Sequence, residues 1–192
     1  MSEFTAALPF IIKHEGTTLY EDQETGERSR YGITQKLLKL IQYKITDPNL
    51  LTMDNVSEIY SNVFWNPNQF GKLSSQLIAN KVFDMSVNMG ATTAVRLLQA
   101  ALNMCGAQCV IDGVIGPHTL ITVNQFAIGD NEERLLGELV LQSISYYKRI
   151  AIGPLAKDLK GWLARAEDTG MGQADKNAFN TLRDGSSDKV VS

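Results

Sequence analysis

The chain has 192 residues, 44% of them apolar, which suffices for one core-bearing domain or one domain with a small appendage. Its 21 acidic residues outnumber its 18 basic ones for a formal charge of −3, so no bulk basic excess is present to neutralise nucleic-acid phosphates. No apolar run reaches the length of a membrane span. Both histidines, His14 and His118, are remote in sequence from the other's surroundings, and the Cys105-x3-Cys109 pair lacks a second ligand pair, so no metal and no cofactor is expected.

Apolar residues recur at helical spacing along nearly the whole chain, which makes the expected fold class mainly α. Residues 3–15 put Phe4, Leu8, Ile11 and Ile12 on one stripe, with Glu15 on that stripe; Pro9 either kinks this helix or marks its first turn. From Gly16 a polar stretch carries Glu21, Asp22, Glu24 and Glu27, and it has room for a small hairpin around residues 24–27. Residues 34–44 and 54–65 read as amphipathic helices, the second with Asp54 as N-cap and Asn66-Pro67 as its end. Residues 75–89 are mostly apolar and are expected to cross the centre of the domain before Gly90 stops them. A helix over 92–104, with Thr92 or Thr93 near its cap, leads into the loop GAQCVIDGVIGPHT, where Pro117 suits the first turn of a helix over 118–127. Residues 131–150 and 155–168 supply the last two helices. From Thr169 the composition turns to Gly, Ser and charge, the pattern of a flexible or peripheral tail. The opening MSEFTAALPF has neither a basic n-region nor a cleavage signal, so synthesis in the cytoplasm is expected, without stable membrane insertion.

Residue chemistry points at a reaction in one stretch, HEGTTLYEDQETGERSRYGIT. A carboxyl at the edge of an apolar face loses hydration, and the last turn of a helix disfavours negative charge; both favour the protonated form that a general acid uses. Glu15 meets both conditions, and its plain structural alternative is a salt bridge to a buried Arg96 or Arg165. Glu24, on the solvated loop, suits an ionised second carboxylate that stabilises an oxocarbenium-like transition state or activates water. Glu21 and Asp22 are rivals for that role. Ser29 suits a hydroxyl that holds water, and Arg28 and Arg30 suit carboxylate groups of a ligand. Tyr31 suits stacking on a sugar face, although core packing is the commoner fate of aromatics. Asp84 and Asn88 share a helix face and either line a cleft or close the loop structurally.

At these residues the chain resembles glycoside hydrolase family 108. The shared frame is His14-Glu15-Gly16, an acidic loop, then Gly32-Ile33-Thr34. It continues in Phe64-Trp65-Asn66-Pro67, in Phe83-Asp84 through Asn88-Met89-Gly90, in Asp112-Gly113 through Gly116-Pro117, and in Gly161-Trp162 through Arg165. In the family frame Thr17 replaces a glycine, Gly26-Glu27 a Gly-Gly pair, Glu24 an aspartate and Ser29 a threonine. The resemblance implies a lysozyme-like helical fold, with residues 1–90 as the catalytic muramidase part, 91–168 as a helical peptidoglycan-binding-like part packed on it, and 169–192 as the tail. It implies an enzyme that cleaves the β-1,4 bond between N-acetylmuramic acid and N-acetylglucosamine, with Glu15 as acid, Glu24 as second carboxylate and Ser29 assisting. Arg28, Arg30, Tyr31, Asp84 and Asn88 are the candidate substrate contacts. The expected setting is an endolysin whose partner is the peptidoglycan strand and which reaches the wall through a holin or a secretion system. A wall-remodelling muramidase, a secreted effector and a non-catalytic peptidoglycan binder on a degenerate scaffold are the alternatives.

Overall fold

A computed structural model describes residues 1–171, so most of the expected tail lies outside the described residues. The fold is mainly α, as the periodicity implies, with one small sheet. Helix α1 (Phe4–Glu15) runs through Pro9 and buries Ala7, Phe10 and Ile11. The polar stretch then folds into strands β1 (Tyr20–Glu21), β2 (Arg28–Arg30) and β3 (Ile33–Thr34). They form an antiparallel sheet in the order β1-β2-β3, with Ser29 opposite both Tyr20 and Thr34. The hairpin matches the expectation, while β3 is an addition that links the loop to the next helix.

Thr34 caps α2 (Gln35–Leu40) by accepting from the Leu37 amide at 3.0 Å. That helix stops four residues short of the expected 44, because Gln42 takes a left-handed backbone (φ 52). Helix α3 (Met53–Tyr60) starts from Thr52, not Asp54: Thr52 and Asn55 bond reciprocally in a capping box, and Asp54 sits in the first turn, where its charge favours the dipole. The helix loosens into a π turn over Ser61–Trp65. Next come α4 (Gln76–Met89), capped by Ser75, and α5 (Ala91–Met104), which starts directly after Gly90 with no side-chain cap. Helices α6 (Pro117–Phe126) and α7 (Asp130–Ile150) follow, then a 3-10 turn over Gly153–Asp158 and α8 (Leu159–Glu167).

Helix α4 is the axis of the molecule. It packs on α1, α5 and α7, while α5 also packs on α7, and α7 carries α8. Around Phe83 of α4 stand Phe4, Tyr60, Trp65 and Phe70, with ring centroids 5.2–6.1 Å apart; Tyr60 and Trp65 meet it edge to face and the other two are tilted. Trp65 is thus a core residue. The loop after α5 is organised by buried Gln99. Its amide donates to Asp112, to the Val114 carbonyl and to Thr119, and its oxygen accepts the Gly113 amide at 2.9 Å. Asp112 closes this turn by accepting the Val114 amide at 2.9 Å. Cys105 and Cys109 are buried free thiols, and burial pushes Cys105 up to about 11, with Arg134 opposing and Glu138 adding to the shift. No helix among the described residues is long and apolar enough to cross a membrane.

Candidate active site

Glu15 is the last residue of α1. Gly16 (φ 74) breaks the helix there and donates its amide back to Ile12 at 2.9 Å. The Glu15 carboxylate accepts from Arg165 Nη2 at 2.7 Å through Oε1, with 18% of its side chain exposed. Arg165 comes from α8, 150 positions downstream. Its Nε donates to both oxygens of Asp84, at 3.0 and 3.1 Å, and its Nη2 also reaches Asp84 at 2.8 Å. The arginine therefore meets Asp84 in a forked, bidentate geometry and lends one further donor to Glu15.

Asp84 is 1% exposed. Burial works to raise its pKa, but the His14 hydrogen bond and the charge and bonds of Arg165 outweigh it and hold the carboxyl below the usual carboxylate range. For Arg165 burial works against the charge, and Asp84 and then Glu15 reverse that, keeping the guanidinium charged. His14 bridges two carboxylates, with Nδ1 2.9 Å from Asp84 and Nε2 3.1 Å from Asp168. Asp168, the C-cap of α8, also pairs with Lys13. The end of α1, the middle of α4 and the end of α8 are thus tied by one connected set of charges.

The other oxygen of Glu15 lies against the backbone of Gly32. A Cβ built on Gly32 would stand 2.4 Å from Oε2 and 2.7 Å from Cδ, so this position accepts only glycine while Glu15 keeps its place. The turn is pinned by Tyr60, whose buried hydroxyl donates to the Tyr31 carbonyl at 2.7 Å. Burial and then the Glu15 charge push the Tyr60 phenol far above its ordinary range, which keeps it a donor.

The four loop carboxylates separate cleanly. Asp22 accepts from the Glu24 and Thr25 amides and from the Thr25 hydroxyl, at 2.7–3.0 Å, and those bonds lower its pKa; it builds the turn. Glu27 accepts the Lys36 amide at 2.8 Å, and Glu21 stands 3.8 Å from Arg28. The Glu24 side chain is exposed and has no side-chain partner among the described residues. Ser29 is half-buried on β2, and its hydroxyl has no partner among the described residues either.

The candidate substrate contacts fare differently. Asp84 is too buried and too fully bonded to touch a ligand; instead of closing the loop it binds His14 and Arg165. Arg28 faces Asp47 at 3.2 Å. Arg30 donates to the Thr17 and Asn49 carbonyls, at 3.0 and 2.9 Å, and lies over the Tyr31 ring. Tyr31 is 8% exposed. These three side chains hold the loop together. Asn88 accepts from the Tyr147 hydroxyl at 2.9 Å and lines a cavity of about 400 Å³. His14, Trp162, Arg165 and Asp168 line it too.

Sequence reading missed His14, Tyr60, Lys81 and Asp168 as members of the site. One signal was available: Lys81 and Asp84, three apart, are the two charged residues of a mostly apolar helix, where charges need partners. No group of three or more His, Cys, Asp or Glu among the described residues is arranged to hold a metal.

Comparison with known proteins bears on this geometry. Residues 8–90 match the family described as glycosyl hydrolase 108, and residues 93–167 match a second one described as a predicted peptidoglycan domain. No curated protein matches the chain. Among solved structures, that of Brucella abortus SagA is similar, at 24% identity over 92% of this chain and 94% of that one, with a TM-score of 0.70. That likeness shows a shared fold.

Proposed function

We propose the following chemistry for this chain, whose residues 8–90 match the glycosyl hydrolase 108 family and whose residues 93–167 match a predicted peptidoglycan domain, a glycoside hydrolase acting on peptidoglycan. It hydrolyses the β-1,4 bond between N-acetylmuramic acid and N-acetylglucosamine. Glu15 is the general acid and Glu24 the second carboxylate. The observation that carries this reading is the mounting of Glu15, with Oε1 on Arg165 and Oε2 against Gly32.

Arg165 contacts Oε1, so Oε2 is the oxygen that passes the proton to the glycosidic oxygen. The carboxylate left behind keeps the Arg165 ion pair that holds Oε1 beforehand, so no group has to move to receive the charge. Glu24 stabilises the developing positive charge on the sugar, or activates the attacking water together with Ser29. Glu24 is preferred over Glu21, Asp22 and Glu27 because those three are engaged by Arg28, by the turn and by the Lys36 amide. Asn88, beside the cavity, is the substrate contact that this reading keeps. The setting is that of an endolysin reaching the wall through a holin or secretion system, which lysis on co-expression with a holin tests.

The decisive assay is product analysis of purified peptidoglycan. Wild type releases reducing ends, and Glu15→Gln lowers the rate about 10²–10⁴-fold, the worth of a general acid. Equal rates in both proteins remove Glu15 from the chemistry. Products with 1,6-anhydro ends replace hydrolysis by transglycosylation, and retention on the wall without bond cleavage refutes the enzyme reading.

A further inference from the structure

Lys81 lies at the middle of α4 and is wholly buried. A buried ammonium is costly unless all of its donors are satisfied. Here all three are spent on one short stretch of chain: Nζ donates to the carbonyls of Arg165 at 2.9 Å, Ala166 at 2.6 Å and Asp168 at 3.0 Å. Those are carbonyls of the last turn and cap of α8, beyond the regular helical ladder; the Arg165 carbonyl also accepts the Asp168 amide, at 3.3 Å. A cation there also complements the helix dipole.

One face of α4 therefore grips Arg165 twice. Lys81 holds its backbone carbonyl, and Asp84, three residues on, holds its guanidinium. The same lysine fixes the backbone of Asp168, whose side chain holds His14 next to Glu15.

We propose that Lys81 is a positioning residue for the hydrolysis: its ammonium locks the end of α8 so that Arg165 reaches Glu15, and loss of its proton releases the lock and sets the alkaline limit of activity. This rests on the reading of Glu15 as the acid.

A neutral amine offers two N–H groups and turns a lone pair toward the third carbonyl, so one of the three contacts becomes repulsive. The charged groups facing Lys81 are Asp84 from α4 and Arg165 and Asp168 from the end of α8, with His14 and Glu15 of α1 joined through them. Burial lowers the lysine to about 8; Asp84 and Asp168 oppose that shift, and Arg165 adds to it.

The test uses the full chain. Lys81→Met keeps the volume and removes the donors. Its expected effect is a kcat on peptidoglycan lower by about 10–100-fold with KM within about twofold, as for a displaced catalytic group. In NMR spectra the Arg165 Nε–H resonance moves from its bonded position toward that of free arginine. The wild type needs no variant: kcat and that resonance change together through a midpoint near pH 8. A folded Lys81→Met protein with wild-type kcat and an unmoved Arg165 signal overturns the proposal, as does a wild-type signal that stays constant up to pH 10. If the wild type releases no reducing ends, the hydrolase reading falls, and the Arg165 signal still decides the role of Lys81.

Discussion

Gly32→Ala isolates the contact between the turn and the acid. The new methyl carbon would stand 2.4 Å from Glu15 Oε2 and 2.7 Å from Cδ and Cγ. Ordinary non-bonded separations begin near 3.5 Å, so either the carboxylate or the turn must retreat by about 1 Å. The turn is the stiffer partner, because Tyr60 holds the preceding carbonyl at 2.7 Å. Glu15 therefore moves, and a displacement of about 1 Å at a reacting group lowers kcat by about 10²-fold, or about 3 kcal/mol in the barrier. Gly32 also has a left-handed backbone (φ +73), which adds about 1–2 kcal/mol of destabilisation for an L-residue. Gly106→Ala is the control: its φ is +98 and nothing lies within 4 Å of the added carbon. Both variants are expected to melt a few degrees lower, and only Gly32→Ala loses activity on peptidoglycan. Full kcat in Gly32→Ala refutes the claim that Gly32 seats a reacting Glu15.

Asp84→Asn strips Arg165 of its forked partner and leaves it Glu15 alone, and is expected to destabilise the protein by about 3 kcal/mol at neutral pH, since a buried charge loses one of its two counter-charges. Because His14 and Arg165 hold Asp84 below its ordinary 3.8, its contribution is fully present above that value and fades as pH falls through the lower folded-state value. Urea melts of both proteins at pH 7 and pH 3 check this, and an equal gap at the two pH values contradicts it. Gln99→Leu leaves the Gly113 amide, Asp112 and Thr119 without their shared partner. A loss of about 2–4 kcal/mol in thermal or urea unfolding is expected, and a neutral result would show that water replaces the amide.

The fold was largely legible because its helices obey amphipathic spacing and end where Gly16 and Gly90 allow positive φ. Helix starts were less so. Thr52 displaced Asp54 as a cap because a reciprocal bond with Asn55 satisfies more groups than one acidic side chain does. In the site, the sequence offered Arg96 or Arg165 as a salt-bridge partner of Glu15, as the structural alternative to an acid, and the contact is made by Arg165. It could not show that one arginine serves Glu15 and Asp84 together, since that depends on where α8 lands on α4. Nor could it separate Glu24 from its three acidic neighbours: the separation comes from hydrogen bonds made by Thr25, Lys36 and Arg28, whose side chains and amides carry no such information by identity alone.

Glu15 and Arg165 stand 150 residues apart, one in each of the two matched regions. The region described as peptidoglycan-related is thus no detachable anchor. Exchanging it between relatives would swap half of an ion pair, so the graft boundary in any chimera has to follow the arginine and its clamp rather than the seam between the two matches. A fragment cut at that seam would keep Glu15 and lose the guanidinium that holds its carboxylate.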